Sequence, residues 1–97
     1  MKVGNLAMVV GANFLKQNIG KVVELSAFVS DGDLYAAPTG ELFRHSDVPC
    51  WVVRGEGVVF RADNEVYEGF GLCEQHHLML LPGQTEPTPV FAGAENL

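Results

Sequence analysis

The run KVGNLAMVV at residues 2–10 and the run NIGKVVEL at residues 18–25 decide the fold of this chain. In the first run, residues 6–10 are continuously apolar, which is typical of a β-strand that is buried on both sides or lies at a sheet-to-sheet closure. From Gly20 in the second run, the side chains alternate between two faces as far as Val29. One face of it carries only apolar residues: Val23, Leu25, Ala27 and Val29. The two runs therefore predict the first two strands of a mainly β domain, the second strand being long and curved.

The overall composition fits one small folded domain followed by a tail. The chain has 97 residues, of which 47% are hydrophobic and 19% are charged, and this balance excludes a fully disordered protein. Residues 83–97 differ, because they contain two prolines, several small or polar residues and no Lys or Arg. We therefore expect a folded domain over residues 1–82 and a flexible, disordered tail over residues 83–97.

Irregular segments and turns separate the later strands. Residues 34–49 predict an irregular excursion, with short extended pieces around Tyr35 and at residues 42–44. Residues 50–61 alternate on both sides of the segment GEG at residues 55–57. Because glycine favours turns, we expect a hairpin here, with its reversal at this glycine-rich segment.

Short motifs predict the remaining elements. The loop at residues 11–18 is mostly polar, and we expect one helical turn there, with Phe14 packed beneath the strands. Residues 66–72 predict a further short extended piece that its glycines weaken. Residues 74–77 predict a single 3₁₀ turn, and the apolar residues 78–81 after it predict a closing strand.

The order of these features resembles the small SH3-like, KOW-like β-barrels, and in particular short uncharacterised proteins of bacteriophages and prophages. The resemblance spans residues 2–83 and depends on four motifs: the entry KVGNL at residues 2–6, GKVV at 20–23, CWVV at 50–53 and HLMLLP at 77–82. It implies a barrel of about five strands with a 3₁₀ turn before the last strand. KOW-like barrels in ribosomal proteins and transcription elongation factors bind RNA or protein. A nucleic-acid-binding, ribosome-associated or transcription-associated role is therefore one alternative that the resemblance implies.

The charge of the chain argues against nucleic acid as the partner. The chain has six basic and twelve acidic residues, which gives a net charge of -6. Affinity for a phosphate backbone comes mainly from clustered Lys and Arg. Only Lys16 and Lys21 correspond to the basic loop residues that contact RNA in the ribosomal barrels. We therefore expect a protein of the host or phage as the partner, and the sequence leaves the oligomeric state open.

The sequence also predicts a cytoplasmic location. No stretch approaches the roughly 20 apolar residues of a membrane helix, and the first apolar run is too short for the core of a signal peptide. Cys50 and Cys73 fit free thiols in a reducing compartment better than a disulfide scaffold. We therefore expect no contact with a membrane.

Cysteine and histidine residues are the candidates for chemistry. Cys73, His76 and His77 offer ligand types that zinc prefers, but the paired spacing of structural zinc sites is missing, so we expect no metal site. A catalytic Cys-His pair would need a cleft and a third orienting group, and the cysteines fit small apolar core residues better. We therefore predict no catalytic residue, no cofactor and no enzymatic activity.

Aromatic and acidic side chains are the candidates for a binding surface. SH3-like barrels commonly bind peptides or single strands on aromatic side chains between their loops, and Tyr35 and Tyr67 are the aromatic residues that we expect outside. Glu65, Glu68 and Glu74, together with Asp63, are close enough in sequence to contribute to one carboxylate face. The sequence therefore predicts a non-catalytic protein-interaction module that binds through Tyr35, Tyr67, Glu65 and Glu68.

Overall fold

The computed structural model describes residues 1–62 and 64–83, and this part of the chain is mainly β. Its strands are β1 (Leu6–Val9), β2 (Val22–Val29), β3 (Leu34–Ala36), β4 (Leu42–Arg44), β5 (Cys50–Ala62), β6 (Glu65–Cys73) and β7 (Leu78–Leu80). Two 3₁₀ turns, Lys16–Asn18 and Gln75–His77, are the helical elements of the described residues. The mainly β class and the 3₁₀ turn before the last strand are confirmed, whereas the predicted tail, apart from Gly83, lies outside the described residues.

Five of the strands form one antiparallel sheet in the order β6-β5-β2-β1-β7. The last strand thus returns to lie beside the first, while no ladder joins β6 to β7 in the described residues, and the sheet is open. The first core lies on one side of this sheet and takes residues from all five strands. Its members are Ala7, Val9, Val23, Leu25, Trp51, Val53, Val58, Cys73 and Leu78.

A β-bulge in β2 divides this strand between two cores. Leu25 lies opposite Val53 of β5, but Ala27 lies opposite Val52, so that one extra residue intervenes on β2. Because side chains alternate along a strand, one extra residue exchanges the two faces of all that follows. Leu25 therefore belongs to the first core, while Ala27 and Val29 belong to the second. The prediction of a single apolar face along β2 is wrong beyond the bulge.

The hairpin of β3 and β4 covers the second core. The ring of Tyr35 stacks on that of Phe43 with centroids 5.6 Å apart, and Phe43 also contacts Phe60, Tyr67 and Phe70. The predicted short extended pieces around residues 35 and 42–44 are therefore confirmed. The expected exposure of Tyr35 is wrong, because this residue is only 8% exposed and its ring fills the aromatic centre of this core.

Strand β5 runs without reversal through the glycine-rich segment at residues 55–57, so the turn predicted there is wrong. The chain reverses only after Ala62, which lies opposite Glu65 of β6. Asn64, between the two strands, has a φ of 67°, a left-handed conformation that asparagine tolerates better than most residues. The hairpin therefore joins β5 to β6, and β6 is nine residues long, where the sequence predicted only a short piece.

Strand β5 instead contains an irregular segment that a side chain holds in place. Arg54 lies opposite Phe70 and Val59 opposite Glu68, so four residues of β5 bulge against one residue of β6. Asn18, buried at the end of the first 3₁₀ turn, donates from Nδ2 to the Val59 carbonyl at 2.8 Å. Its Oδ1 accepts from the Val59 amide, also at 2.8 Å. The amide side chain thus pairs with β5 as a neighbouring strand would, and it ties the β1–β2 loop to the sheet.

We expect Asn18→Ala to lower the free energy of unfolding by about 2 to 4 kcal/mol, because both backbone groups of Val59 lose their side-chain partner. Urea denaturation followed by Trp51 fluorescence measures this change. Asn13→Ala is the matched control, since this exposed amide makes a single side-chain hydrogen bond, to Glu74. Asn13→Ala should lower the free energy of unfolding by less than about 0.5 kcal/mol. Equal losses for the two variants would contradict the role given to Asn18.

Candidate functional site

A cleft of about 270 Å³ opens between three segments of the domain. These segments are the β1–β2 loop, the stretch that leads from β4 into β5, and the 3₁₀ turn before β7. Val9, Val53, Val58 and Leu72 contribute apolar surface to the cleft. Apolar concave surface with a few polar groups around it is the usual character of a binding site.

Phe14 stands at the cleft with its side chain in solvent. It is 90% exposed, the highest exposure among the large apolar residues that the structure describes. Its expected position beneath the strands is wrong, because the β1–β2 loop directs Asn18 inward instead. The His77 ring also packs against the start of this loop, where a Cβ on Gly11 would lie 2.8 Å from His77 Cδ2. The loop therefore leaves Phe14 on the outside.

Two carboxylates lie between the cleft and a shallower hollow beside it. Asp47 and Glu74 line both concavities, as do Asn13 and Val48. Asp47 Oδ1 accepts a hydrogen bond from the Val48 amide at 2.7 Å, and Glu74 Oε2 accepts one from Asn13 Nδ2 at 3.0 Å. The side chains that line the cleft and the hollow thus include two carboxylates and one guanidinium, that of Arg61, while Met1 also lines the hollow.

The structure brings one cysteine and one histidine together at this cleft. Cys50 Sγ lies 3.6 Å from His45 Nε2, and both residues are buried. His45 Nε2 also lies 2.6 Å from the Val48 carbonyl oxygen, which can only accept, so this nitrogen carries the proton. It therefore offers no lone pair to the thiol. Burial first, and then the charge of Asp47, raise the pKa of Cys50 to about 11, so the thiol is protonated at neutral pH.

The thiol of Cys73 is also protonated at neutral pH, and the two adjacent histidines do not form part of a metal-ligand group in the described residues. Burial, followed by the charge of Glu74, raises the pKa of Cys73 to about 11, and both cysteines are free. The rings of His76 and His77 lie with centroids 4.0 Å apart, and Glu74 Oε1 is 3.5 Å from His76 Nδ1. Over residues 1–62 and 64–83, no group of three or more His, Cys, Asp or Glu side chains is placed to hold a metal ion.

The binding residues predicted from the sequence lie outside the cleft. Tyr35 is part of the second core, whereas Tyr67 is half-buried and donates from its hydroxyl to Glu65 Oε1 at 3.3 Å. Glu65 and Glu68 are both exposed, but they are three residues apart in a regular part of β6. Because side chains alternate along a strand, these two carboxylates point to opposite faces. The structure therefore does not bring the four residues together.

The structure brings Phe14, Asp47, Val48 and Glu74 together. Sequence reasoning named only Glu74 among them, as one of four candidate carboxylates, and missed Phe14, Asp47 and Val48 as parts of a site. One signal was available, because Phe14 is a large aromatic residue in an otherwise mostly polar loop without strand periodicity. The positions of Asp47 and Glu74 depend on how three distant segments meet, and no local pattern predicts that.

In comparisons with known proteins, no family model matches the chain, and no curated protein or solved structure is significantly similar to it. A search of the described residues finds no helix with the length and apolar character needed to cross a membrane. The geometry of the cleft therefore has to carry the functional argument.

We expect both thiols of the native protein to resist alkylation by iodoacetamide at pH 8. A pKa of about 11 in place of 9.0 lowers the reactive thiolate fraction about 100-fold at this pH. Alkylation rates of the native protein, measured by mass spectrometry and compared with those in denaturing urea, test this expectation. The variants Cys50→Ser and Cys73→Ser show which of the two thiols reacts at each measured rate. A Cys50 that reacts as fast in the native protein as in urea would contradict the geometry described for His45.

We expect the stability of the fold to decrease above about pH 9. Burial raises the pKa of Cys50 and Cys73 from 9.0 to about 11 and that of Tyr35 from 10.0 to about 12. The folded chain therefore keeps protons that the unfolded chain loses, and unfolding becomes easier as the pH rises from about 9 to 11. Urea denaturation at several pH values measures the slope. A double variant, Cys50→Ala with Cys73→Ala, should show a shallower decline, and an equal slope in that variant would refute the assignment to the thiols.

Proposed function

We propose that this chain is a non-catalytic protein-interaction module built on an SH3-like barrel. The strand order supports this scaffold, because β7 returns beside β1 directly after a 3₁₀ turn. The first core also contains Cys73 and Leu78 from the two edge strands, which is expected of a sheet that curls toward closure. The resemblance to short proteins of bacteriophages and prophages stays a prediction from the sequence.

The binding site that we propose is the cleft, and the exposure of Phe14 is the observation that carries the proposal. The ring of Phe14 is 90% exposed, and covering it with a partner would be favourable because apolar surface is removed from water. Aromatic side chains beside a concave apolar surface are typical anchors of protein interfaces. Val48, which is half exposed, lines the same cleft and extends this apolar surface. The partner is therefore expected to insert an apolar side chain here.

The carboxylates indicate that the partner segment also carries a basic residue. Asp47 and Glu74 lie at the boundary of the cleft and the shallower hollow, where no Lys or Arg of the described chain lines the hollow. A Lys or Arg beside an apolar anchor would meet these two carboxylates and the face of Phe14. The net charge of -6 favours the approach of a basic partner over an acidic one.

The net charge of the chain favours a protein partner over nucleic acid. Lys21 Nζ donates to the Gly57 carbonyl at 2.5 Å, and Lys16 Nζ donates to the Ala12 carbonyl at 3.2 Å. Each ammonium keeps two further donors, but a net charge of -6 opposes binding to a phosphate backbone. The two buried, free thiols are also consistent with the reducing conditions of the cytoplasm, where we place the protein.

A non-catalytic role is consistent with the chemistry at the cleft. The thiol of Cys50 is protonated at neutral pH, and the imidazole nitrogen beside it donates to a carbonyl oxygen. A nucleophilic cysteine needs a thiolate and a base that can accept its proton. We therefore assign His45 and Cys50 to the packing of the cleft floor.

A selection from a displayed library of random peptides on the immobilised full chain tests this function. We expect the enriched peptides to combine an aromatic or aliphatic residue with Lys or Arg. Fluorescence anisotropy should then show at least a tenfold loss of affinity for Phe14→Ala, and a loss for Asp47→Asn that shrinks in high salt, because the carboxylate acts through its charge.

Val66→Ala is the matched control for this test, because Val66 is an exposed apolar residue of β6 away from the cleft. It should bind the selected peptides as the unmodified chain does. Peptides that bind Phe14→Ala equally well, or an enrichment of acidic peptides, would refute the proposed site.

A further inference from the structure

One side of strand β1 remains exposed although both of its sides are apolar. Ala7 and Val9 point into the first core, while Met8 lies in register between Val22 of β2 and Met79 of β7 on the opposite side. Val22 is 47% exposed and Met79 is 49% exposed. We call the set Leu6, Met8, Val22 and Met79 the outer strip.

A partner that covers the outer strip would agree with the sequence of β1. The continuous apolar run at residues 6–10 is typical of a strand that is buried on both sides. In the structure the β3–β4 hairpin covers the second core, and the outer strip remains outside it. Contiguous exposed apolar surface of this kind is typical of protein interfaces, whereas single exposed residues are common on any protein.

The charges at the end of the outer strip indicate what covers it. Leu6 lies opposite Glu24, and Glu24 lies opposite Arg54, so an acid and a base follow the apolar residues on the same side of the sheet. Both side chains are exposed, and no hydrogen bond or ion pair involves either within residues 1–62 and 64–83. A surface that offers one charge of each sign beside an apolar strip is self-complementary, which is what a two-fold symmetric dimer requires.

We propose that a second copy of this chain covers the outer strip in a symmetric dimer. The apolar side chains of the two strips pack against each other, and Glu24 of each copy meets Arg54 of the other. A partner of one dominant charge would leave one of these two side chains without a match. The proposal is independent of the cleft, because none of the residues of the strip lines it.

Sedimentation equilibrium of the full chain, from about 10 to 500 µM, tests the dimer. We expect the mass to rise from 10.5 kDa toward twice that value as the concentration increases. Met79→Glu should weaken the association at least about 30-fold, because it places a carboxylate in the apolar contact. Val66→Glu, at a valine that is 59% exposed on the far edge strand, should leave the association unchanged, as should Phe14→Ala.

Charge reversal distinguishes this dimer from any other. The Glu24→Arg chain and the Arg54→Glu chain should each be monomeric alone, because like charges then face each other across the axis. An equimolar mixture of the two should form a heterodimer, an outcome that an effect within one chain cannot produce. A monomeric unmodified chain at 500 µM, or a mixture that does not associate, would overturn the proposal. A different protein would then be the expected partner of the outer strip.

Discussion

The pair of hydrogen bonds between the Asn18 side chain and the backbone of Val59 is the constraint on which the rest of the structure depends. Strand β5 contributes to both cores through the alternation of its side chains, and it bulges between its two regular segments. A bulge leaves backbone groups without their usual strand partner, and burial makes such groups costly. Asn18 supplies a partner from the β1–β2 loop. One buried amide thus stabilises the irregular strand and fixes the loop that lies over it.

The position of the loop in turn explains the cleft. With Asn18 held inside and the start of the loop packed against His77, the middle of the loop extends away from the domain and carries Phe14 into solvent. The stretch before β5 forms the opposite wall, where His45 contacts Val48 and Cys50. Burial and the charge of Asp47 keep the Cys50 thiol protonated at neutral pH, and the Val48 carbonyl accepts from His45 Nε2. The cleft therefore has a wall with a protonated thiol and a rim with one exposed aromatic ring, an arrangement suited to binding.

The sequence predicted the elements whose signals are local and missed those that depend on pairing between distant strands. Strands β1 and β7, the short β3 and β4, and the turn at Gln75–His77 follow from apolar runs and polar breaks. The segment GEG resembles a turn, yet the backbone bulges there without reversing. Gly55 is required there for a close approach, since a Cβ on it would lie 2.9 Å from the Val22 carbonyl oxygen. The burial of Tyr35 and the exposure of Phe14 could not be predicted either, because each depends on which distant segment packs over it.

If the cleft binds an apolar segment with a basic group, it should also bind a minimal probe that combines the two. The probe is n-butylguanidinium, which joins an apolar chain to a cation, and the readout is the amide spectrum of the ¹⁵N-labelled chain. We expect saturable shifts at Phe14, Val48 and Glu74 and none with butyrate, the matched anion. Saturable shifts confined to β6 around Glu65 and Glu68, equal shifts with butyrate, or no saturable shift at all would contradict this expectation.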